Sequence, residues 1–475
     1  MKSLALAPEL AIFATALLIL LLGVWLKEEQ RGYLLPVSAV GIVIALVFEI
    51  ALKGSSYSLY GQIFLVDSLA VFFKILFLIT ALFTVLISFQ WVKDPDYVGE
   101  YFGLILFATL GMMVIASAGE LIIMYVGLGL VSLPLYALVT RSFGDYKSKE
   151  AGLKYILLGM LSAAILLYGL SILYGLTGTL AIKNIYSVLT GPIAHPALVI
   201  SFAFVLVGFG FKVGMVPLHM WVPDTYEGAP TPVTAFLSVG SKAAGFALLL
   251  RVFVGAFAGA KMHWVPLVEI LAILTMFFGN LIALSQSNIK RMLAYSSIAH
   301  GGYALIGIIA LSTMGVSGVL FYLLAYAFTN LCAFTVVIAF SNATGSDEIK
   351  DYAGLHKRAP GLALAFTISL LSLAGIPLFA GFVGKFYIFA SAVHEKYYAL
   401  VVLALINSTI SLYYYLGVIR EMYVSKPVSN ETVPVHPLFR AVLWAESLAI
   451  FLIGIYPWIF IRLTESVAKS FLAGF

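Results

Sequence analysis

The feature that most constrains this chain is the recurrence of apolar runs about twenty residues long, beginning with Ala5 to Leu26. In lipid no water satisfies a bare N–H or C=O, so segments of this kind fit helices that bond their own backbone. Polar punctuation divides the sequence into about fourteen such runs. They lie near 5–26, 33–52, 64–91, 100–117, 119–140, 150–176, 197–220, 231–255, 264–285, 291–312, 316–341, 361–391, 397–424 and 437–463. Of the 475 residues 62% are hydrophobic and only 10% charged, where a soluble domain carries about 25% charged residues. The expected fold class is an all-α integral membrane protein with about fourteen transmembrane helices. A single membrane domain is expected over 1–475, because no connection is long enough to fold outside the bilayer. The first run lacks a small-residue cleavage site after a short apolar core and reads as a retained span.

The polar residues exclude several functions. One cysteine, Cys332, leaves no disulfide or thiolate cluster within this chain. The seven histidines never fall three to five residues apart, so there is no local zinc pattern. Gly208 and Gly210 lack the third glycine and downstream acid of a dinucleotide fingerprint, and no phosphate-binding P-loop is present. The net charge of +5 is spread over connections, which argues against nucleic acid as a partner. Thirteen Lys and Arg follow odd-numbered spans, Lys93, Arg141 and Lys290 among them, against eight on the other side, including Lys2, Arg251 and Lys396. This bias places the odd connections in the cytoplasm and both termini outside.

Two spans are interrupted. The seventh reads VGFGFKVGMVPLHMWVPD, with Lys212, Gly214 and Pro217; the twelfth reads SLAGIPLFAGFVGKFYIF, with Gly375, Pro377 and Lys385. Gly/Pro-interrupted segments at corresponding places in two halves point to an inverted-repeat transporter with discontinuous helices. Proline there removes a helical hydrogen bond, and the freed carbonyls need a cavity, water or a polar side chain. Lys212, Lys242 and Lys385 all fall inside spans. A lysine facing lipid at a helix centre costs about 2.5–3.5 kcal/mol, so three are expected to face protein or water, where ionisable groups mark proton or ion pathways. A single such lysine is equally well explained by snorkelling or by a bond to a broken-helix carbonyl; three of them, two beside paired breaks, favour a proton path.

Other candidates are weaker. Lys154 lies about a turn into its span, where snorkelling or an i,i+4 pair with Glu150 suffices. His219 and His300 have the titration range of a proton shuttle, though a lone histidine at a helix end is usually structural. Glu49, Asp67 and Glu446 sit near span ends and are expected to be solvated.

The wording of several stretches goes further. HMWVPDTYEGAPTPVTAFLSVGSKAAGFALLLR (219–251), SNIKRMLAYSSIAHGGYALIG (287–307), LLSLAGIPLFAGFVGKFYIF (370–389) and SLYYYLGVIREMY (411–423) closely resemble the subunit N family of bacterial NADH:quinone oxidoreductase, respiratory complex I. The resemblance runs from about residue 60 to 425. It implies helices 4–8 (100–255) and 9–13 (264–424) as inverted five-helix repeats with discontinuous helices 7 and 12. Helices 1–3 (1–91) would precede them, and a final helix and tail (437–475) would follow. It implies no cofactor on this chain, with NADH, flavin, iron–sulfur clusters and quinone handled by partner subunits. The implied partners are other membrane subunits, including neighbouring antiporter-like ones, in a bacterial plasma membrane. By motif, Lys212, Lys242 and Lys385 match the family's proton-path lysines and Lys154 its sixth-helix lysine. Protons would enter near Lys212, pass Lys242 and leave by Lys385.

One position departs from the family pattern. Before SLPLYAL the family reads G-L-E-L, whereas this chain has Gly127-Leu128-Gly129-Leu130, so Gly129 replaces the glutamate. A substitute acid such as Glu120 or Glu150, an acid from a neighbouring subunit, and a channel without the pair all remain open. Three functions are carried forward: a proton-translocating, non-redox subunit of the oxidoreductase; a subunit of a sodium/proton antiporter or membrane-bound hydrogenase; and a scaffold that has lost pumping.

Overall fold

A computed structural model describes residues 4–89, 97–141, 145–191, 196–427 and 431–475; Lys2, Lys93 and His195 lie outside them. The helices are, in order, α1 (Ala7–Trp25), α2 (Leu34–Ala51), α3 (Ser68–Ile87), α4 (Val98–Ser117), α5 (Leu121–Val139), α6 (Tyr146–Thr177), α7 (Ile182–Leu189) and α8 (Pro196–Val213). After a break come α9 (Trp221–Gly228), α10 (Thr231–Phe236) and α11 (Lys242–Leu249). A π-helical turn, Leu237–Ser241, joins the last two, and a second, Leu250–Ala256, extends α11. They are followed by α12 (Lys261–Ala283), α13 (Ile289–Ile309), α14 (Thr313–Thr344), the short α15 (Leu355–Arg358), α16 (Pro360–Ala374), α17 (Ala380–His394), α18 (Tyr398–Tyr423), α19 (Pro437–Ile455) and α20 (Pro457–Leu472). A small antiparallel hairpin, β1 (Tyr57–Leu59) and β2 (Phe64–Val66), departs from the all-helical expectation. Among the described residues 13 helices are long and apolar enough to cross a membrane. The expected twelfth span is the exception, because it is divided between α16 and α17, and the total agrees with the sequence.

The chain forms two compact units. One comprises residues up to Val213, Gly240–Leu267 and Ser466–Phe475; the other Gly214–Val239 and Val268–Glu465. In the first, polar caps start two of the helices. Asp67 accepts from Ala70 N at 2.8 Å at the head of α3, and Asp145 from Lys147 N at 3.0 Å at the head of α6. Small residues set the helix spacing, as is usual where lipid supplies no hydrophobic drive between helices. A Cβ on Gly23 would lie 2.9 Å from Gly99 Cα, and one on Gly99 2.8 Å from Gly23 Cα, so α1 and α4 meet backbone to backbone. In the second unit Asn288 caps α13 and Ser312 caps α14.

A local pattern recurs in the two units. In the first, Glu120, just before α5, bridges to Ala181, which follows the 32-residue α6 and its closing Gly178. In the second, Asn288, just before α13, bridges to Glu348, which follows the 32-residue α14 and its closing Gly345. In each unit a long helix therefore returns the chain to the start of its predecessor.

Three expectations need correction. The last span was read as 437–463, but α19 ends at Ile455 and Pro457 opens α20. Proline suits a first helical turn and not an interior, whereas hydropathy alone runs straight through. Glu49 and Glu446 are not solvated: both are fully buried. Asp67 is held in a bidentate pair with Arg251, Nη1–Oδ2 2.9 Å and Nη2–Oδ1 2.8 Å, while Arg251 Nε donates to Ala116 O at 2.7 Å. Arg251, counted above as a connection charge, is thus a core residue. Burial pushes the Asp67 carboxyl up, but the Arg251 charge and hydrogen bonds outweigh it and hold the group below the usual carboxylate range.

Candidate functional site

In the first unit α8 delivers Lys212 in its last turn, one residue before the helix ends at Val213. The chain then turns at Gly214, φ 74°, a backbone conformation that glycine adopts without strain. Lys212 is 5% exposed. Its Nζ has no hydrogen-bond partner among the described residues and stands 5.8 Å from the Tyr155 ring centroid. The alternative of a structural bond from Lys212 to a freed backbone carbonyl is therefore not realised among the described residues. The ammonium borders a cavity of about 180 Å³ instead, with Gly129, Ser132, Tyr136 and Ser162 also on its wall.

That cavity bears on Gly129. A Cβ built there meets no atom within 4 Å, so the space a longer side chain would take is open. No carboxylate lines the cavity among the described residues. Glu120 ends at the head of α5, and Glu150 pairs with Lys154 at 2.8 Å with both side chains about 40% exposed. Neither serves as a substitute acid beside Lys212. Lys154 itself is a half-exposed member of an i,i+4 pair. Lys242, 4% exposed, opens α11. Gly245, one turn further on, lies close enough to α8 that a Cβ would come 3.2 Å from Lys212 Cβ. The structure brings these two lysines onto adjoining helices.

The second unit holds the other break. α16 ends at Ala374, Gly375 turns the chain with φ 85°, and α17 begins after Pro377 at Ala380. Lys385 reaches back from α17 and donates to Ala374 O at 3.1 Å and to Ser408 Oγ at 3.1 Å. Its Nζ also lies 5.0 Å from the Tyr303 ring centroid. Here the lysine does satisfy a carbonyl freed by the break. From Tyr303 a buried polar row continues: Asn280 Nδ2 donates to Tyr303 Oη at 3.0 Å, and Tyr414 Oη donates to Asn280 Oδ1 at 3.0 Å. His300 stands beside it, its Nδ1 against Tyr322 Oη and its Nε2 3.1 Å from Tyr415 Oη, which in turn meets Ser296. Hydroxyl and imidazole groups of this kind can pass a proton by hydrogen-bond exchange, with the Asn280 amide fixing the orientation of the two tyrosines. His219, in the stretch that precedes α9, is buried, and its Nδ1 has no hydrogen-bond partner among the described residues. Among the described residues no hydrogen bond joins it to the row.

Some of these groups carry a signal in the sequence itself: Asn280 is an amide in the last turn of an apolar span, and Tyr414 and Tyr415 lie in the quoted SLYYYLGVIREMY stretch inside another. Lys74 is the larger omission. It lies about two turns into α3, 1% exposed, between Glu9 and Glu49.

With the geometry in place, comparison with known proteins gives a consistent picture. The family model described as NADH:quinone oxidoreductase/Mrp antiporter, transmembrane, matches residues 118–411. The NADH-quinone oxidoreductase subunit N of Moorella thermoacetica is 46% identical over 454 residues, 95% of each chain. A chain of respiratory complex I from Thermus thermophilus, solved with bound aureothin, superposes with TM-score 0.83 at 34% identity, covering 96% of this chain and 99% of that one. A chain of an archaeal membrane-bound sulfane sulfur reductase gives TM-score 0.88 at 25% identity, over 99% and 98%.

Proposed function

Since the chain belongs to the NADH:quinone oxidoreductase/Mrp antiporter family of transmembrane proteins, we propose that it is the antiporter-like subunit of an NADH:quinone oxidoreductase that carries protons across the bilayer. It works beside other membrane subunits, and the redox groups belong to partners. Lys212 and Lys242 are its proton carriers in the first unit and Lys385 in the second, with His300 and the Tyr303–Asn280–Tyr414 row as the local relay. Lys154 and His219 are accessory. The termini lie on the outer face of a bacterial plasma membrane, in keeping with the Lys/Arg bias.

The observation that carries this reading is that Lys212 and Lys385 are buried without a carboxylate partner among the described residues. Among the described residues Lys385 bonds a backbone carbonyl and a serine hydroxyl, and no carboxylate lines the cavity that Lys212 faces. An amine fixed by a buried carboxylate is a structural ion pair. One held by neutral groups can exist with or without its proton, as a carrier must. Changes in the local field, made elsewhere in the complex by quinone reduction, would then load and unload it.

The vacant position at Gly129 favours one second reading, a scaffold that no longer pumps. The two are separated by reconstituting the purified complex in vesicles and following NADH-driven quinone reduction and proton uptake together, with and without Lys212→Ala. Uptake that the variant weakens supports the carrier. Equal proton uptake per quinone reduced in both leaves the scaffold.

A further inference from the structure

A second buried cluster lies away from the lysines just described, in the first three helices. Lys74 Nζ on α3 stands 2.5 Å from Glu9 Oε1 on α1 and 3.8 Å from Glu49 Oε2 on α2. The Phe64 ring, on β2, covers the ammonium with its centroid at 4.8 Å. Beyond the contact to Lys74, the oxygens of both glutamates have no hydrogen-bond partner among the described residues.

Charge counting decides the state of such a site. Two carboxylates against one ammonium would leave an uncompensated negative charge among apolar helices, which is costly, whereas one bound proton brings the cluster to neutrality. Glu9, at contact distance, is the ion-pair partner. The proton therefore falls on Glu49, which is fully buried and further from the ammonium. The remaining charged groups nearby do not alter the count. Asp67 is matched by Arg251, and Lys53 at the end of α2 is exposed. On α4, Glu100 sits in the first turn, at the end that meets Gly23 and away from Glu9.

A polar pocket lies near the cluster. The strand that supplies Phe64 continues as Leu65, Val66 and Asp67, which line a polar pocket of about 260 Å³ with Ser58, Gln62 and Lys183. Asp67 caps the same helix that carries Lys74, seven residues earlier, or about 10 Å along its axis. Phe64 packs in an apolar cluster with Ala5, Leu52, Val66 and Val71, and Val66 also lines that pocket.

We infer that Glu9, Glu49 and Lys74 form a proton-holding site in which Glu49 takes up and releases the proton, with Phe64 as the plug toward the polar pocket. Release converts the Glu49 carboxyl and a water of the pocket into carboxylate and hydronium, and the new carboxylate then shares Lys74 with Glu9. Uptake is the reverse. The site stands whether or not Lys212, Lys242 and Lys385 pump.

The test is infrared difference spectroscopy on the assembled complex in membranes, in H₂O and D₂O and across pH. Wild type minus Glu49→Gln should show one protonated-carboxyl C=O band that shifts in D₂O and vanishes reversibly as pH is raised. Glu9→Gln should lose the same band, because Glu49 must then ionise to pair Lys74. Lys74→Met should gain a second one. The inference is overturned if wild type lacks the band, if no pH removes it, or if Glu9→Gln keeps it unchanged. Should Lys74→Met fail to assemble, the two glutamine variants, which keep side-chain shape, still decide.

Discussion

Replacing Gly129 by glutamate puts a carboxylate into the Lys212 cavity, and the structure fixes what should follow. The side chain enters about 180 Å³ of open space, and its Cβ meets nothing within 4 Å. Loss of an interior helical glycine favours the variant by about 0.5–1 kcal/mol. If the carboxylate reaches to about 4 Å from the ammonium across the shared cavity, it attracts it by about 4 kcal/mol at an effective dielectric near 20. Withdrawing that carboxylate from water costs several kcal/mol and offsets most of this attraction; a remainder of about 1.4 kcal/mol is a factor of about ten in the ammonium's hold on its proton. A proton held that much more firmly leaves about tenfold more slowly. Coupled NADH-driven quinone reduction in vesicles should therefore fall about tenfold in Gly129→Glu relative to Gly129→Gln, which fills the same space without charge. Equal turnover in the two variants would refute the reasoning, because the charge at this position would then not reach Lys212's proton.

Two further outcomes follow from the geometry. Lys385→Ala strips partners from Ala374 O and Ser408 Oγ, which should cost about 1–3 kcal/mol of stability and lower the protons moved per quinone reduced; full pumping at normal quinone reduction would exclude Lys385 as an obligatory carrier. Asp67→Asn breaks the pair with buried Arg251 and should cost about 3 kcal/mol, read as a lower Tm of the solubilised complex. Because the native Asp67 carboxyl is held below its usual range, its stabilisation is complete above about pH 4 and is lost as pH falls through the native value. Asp67→Asn should lack that acid-dependent loss, and parallel Tm profiles for variant and wild type would contradict the pairing.

The spans were legible because lipid leaves the backbone one option, and the breaks because Gly214, Pro217, Gly375 and Pro377 interrupt otherwise continuous apolar runs. The chemistry at each break was not legible. Lys212 precedes its glycine and faces a cavity, whereas Lys385 follows its glycine and reaches back to Ala374 O. Sequence order alone does not say which way a side chain is turned by a kink. Glu49 and Glu446 were misplaced because nearness to a span end says nothing about which helix face is covered. Glu446 receives a hydrogen bond from Thr335 Oγ1 at 3.2 Å, from a residue more than a hundred positions away. Lys74 was passed over since its surroundings, VFFKILF, contain no glycine or proline to draw attention to it. The absence of a substitute acid near Lys212 needed the cavity wall itself.

The Glu9–Lys74 contact also bears on how the chain is made. Glu9 is followed by Lys74 only 65 residues later (74 − 9), and at about 5–20 residues per second synthesis of that interval takes about 3–13 s. For those seconds the first helix, and then the second with Glu49, reach the bilayer before their cation exists. A lone carboxylate in hydrocarbon is unfavourable enough that the group neutralises instead. On the charge count inferred above, the pair with Lys74 is completed only when the third helix arrives. The order of translation sets an order of charging, so that the ion pair is a product of assembly and not a condition for it.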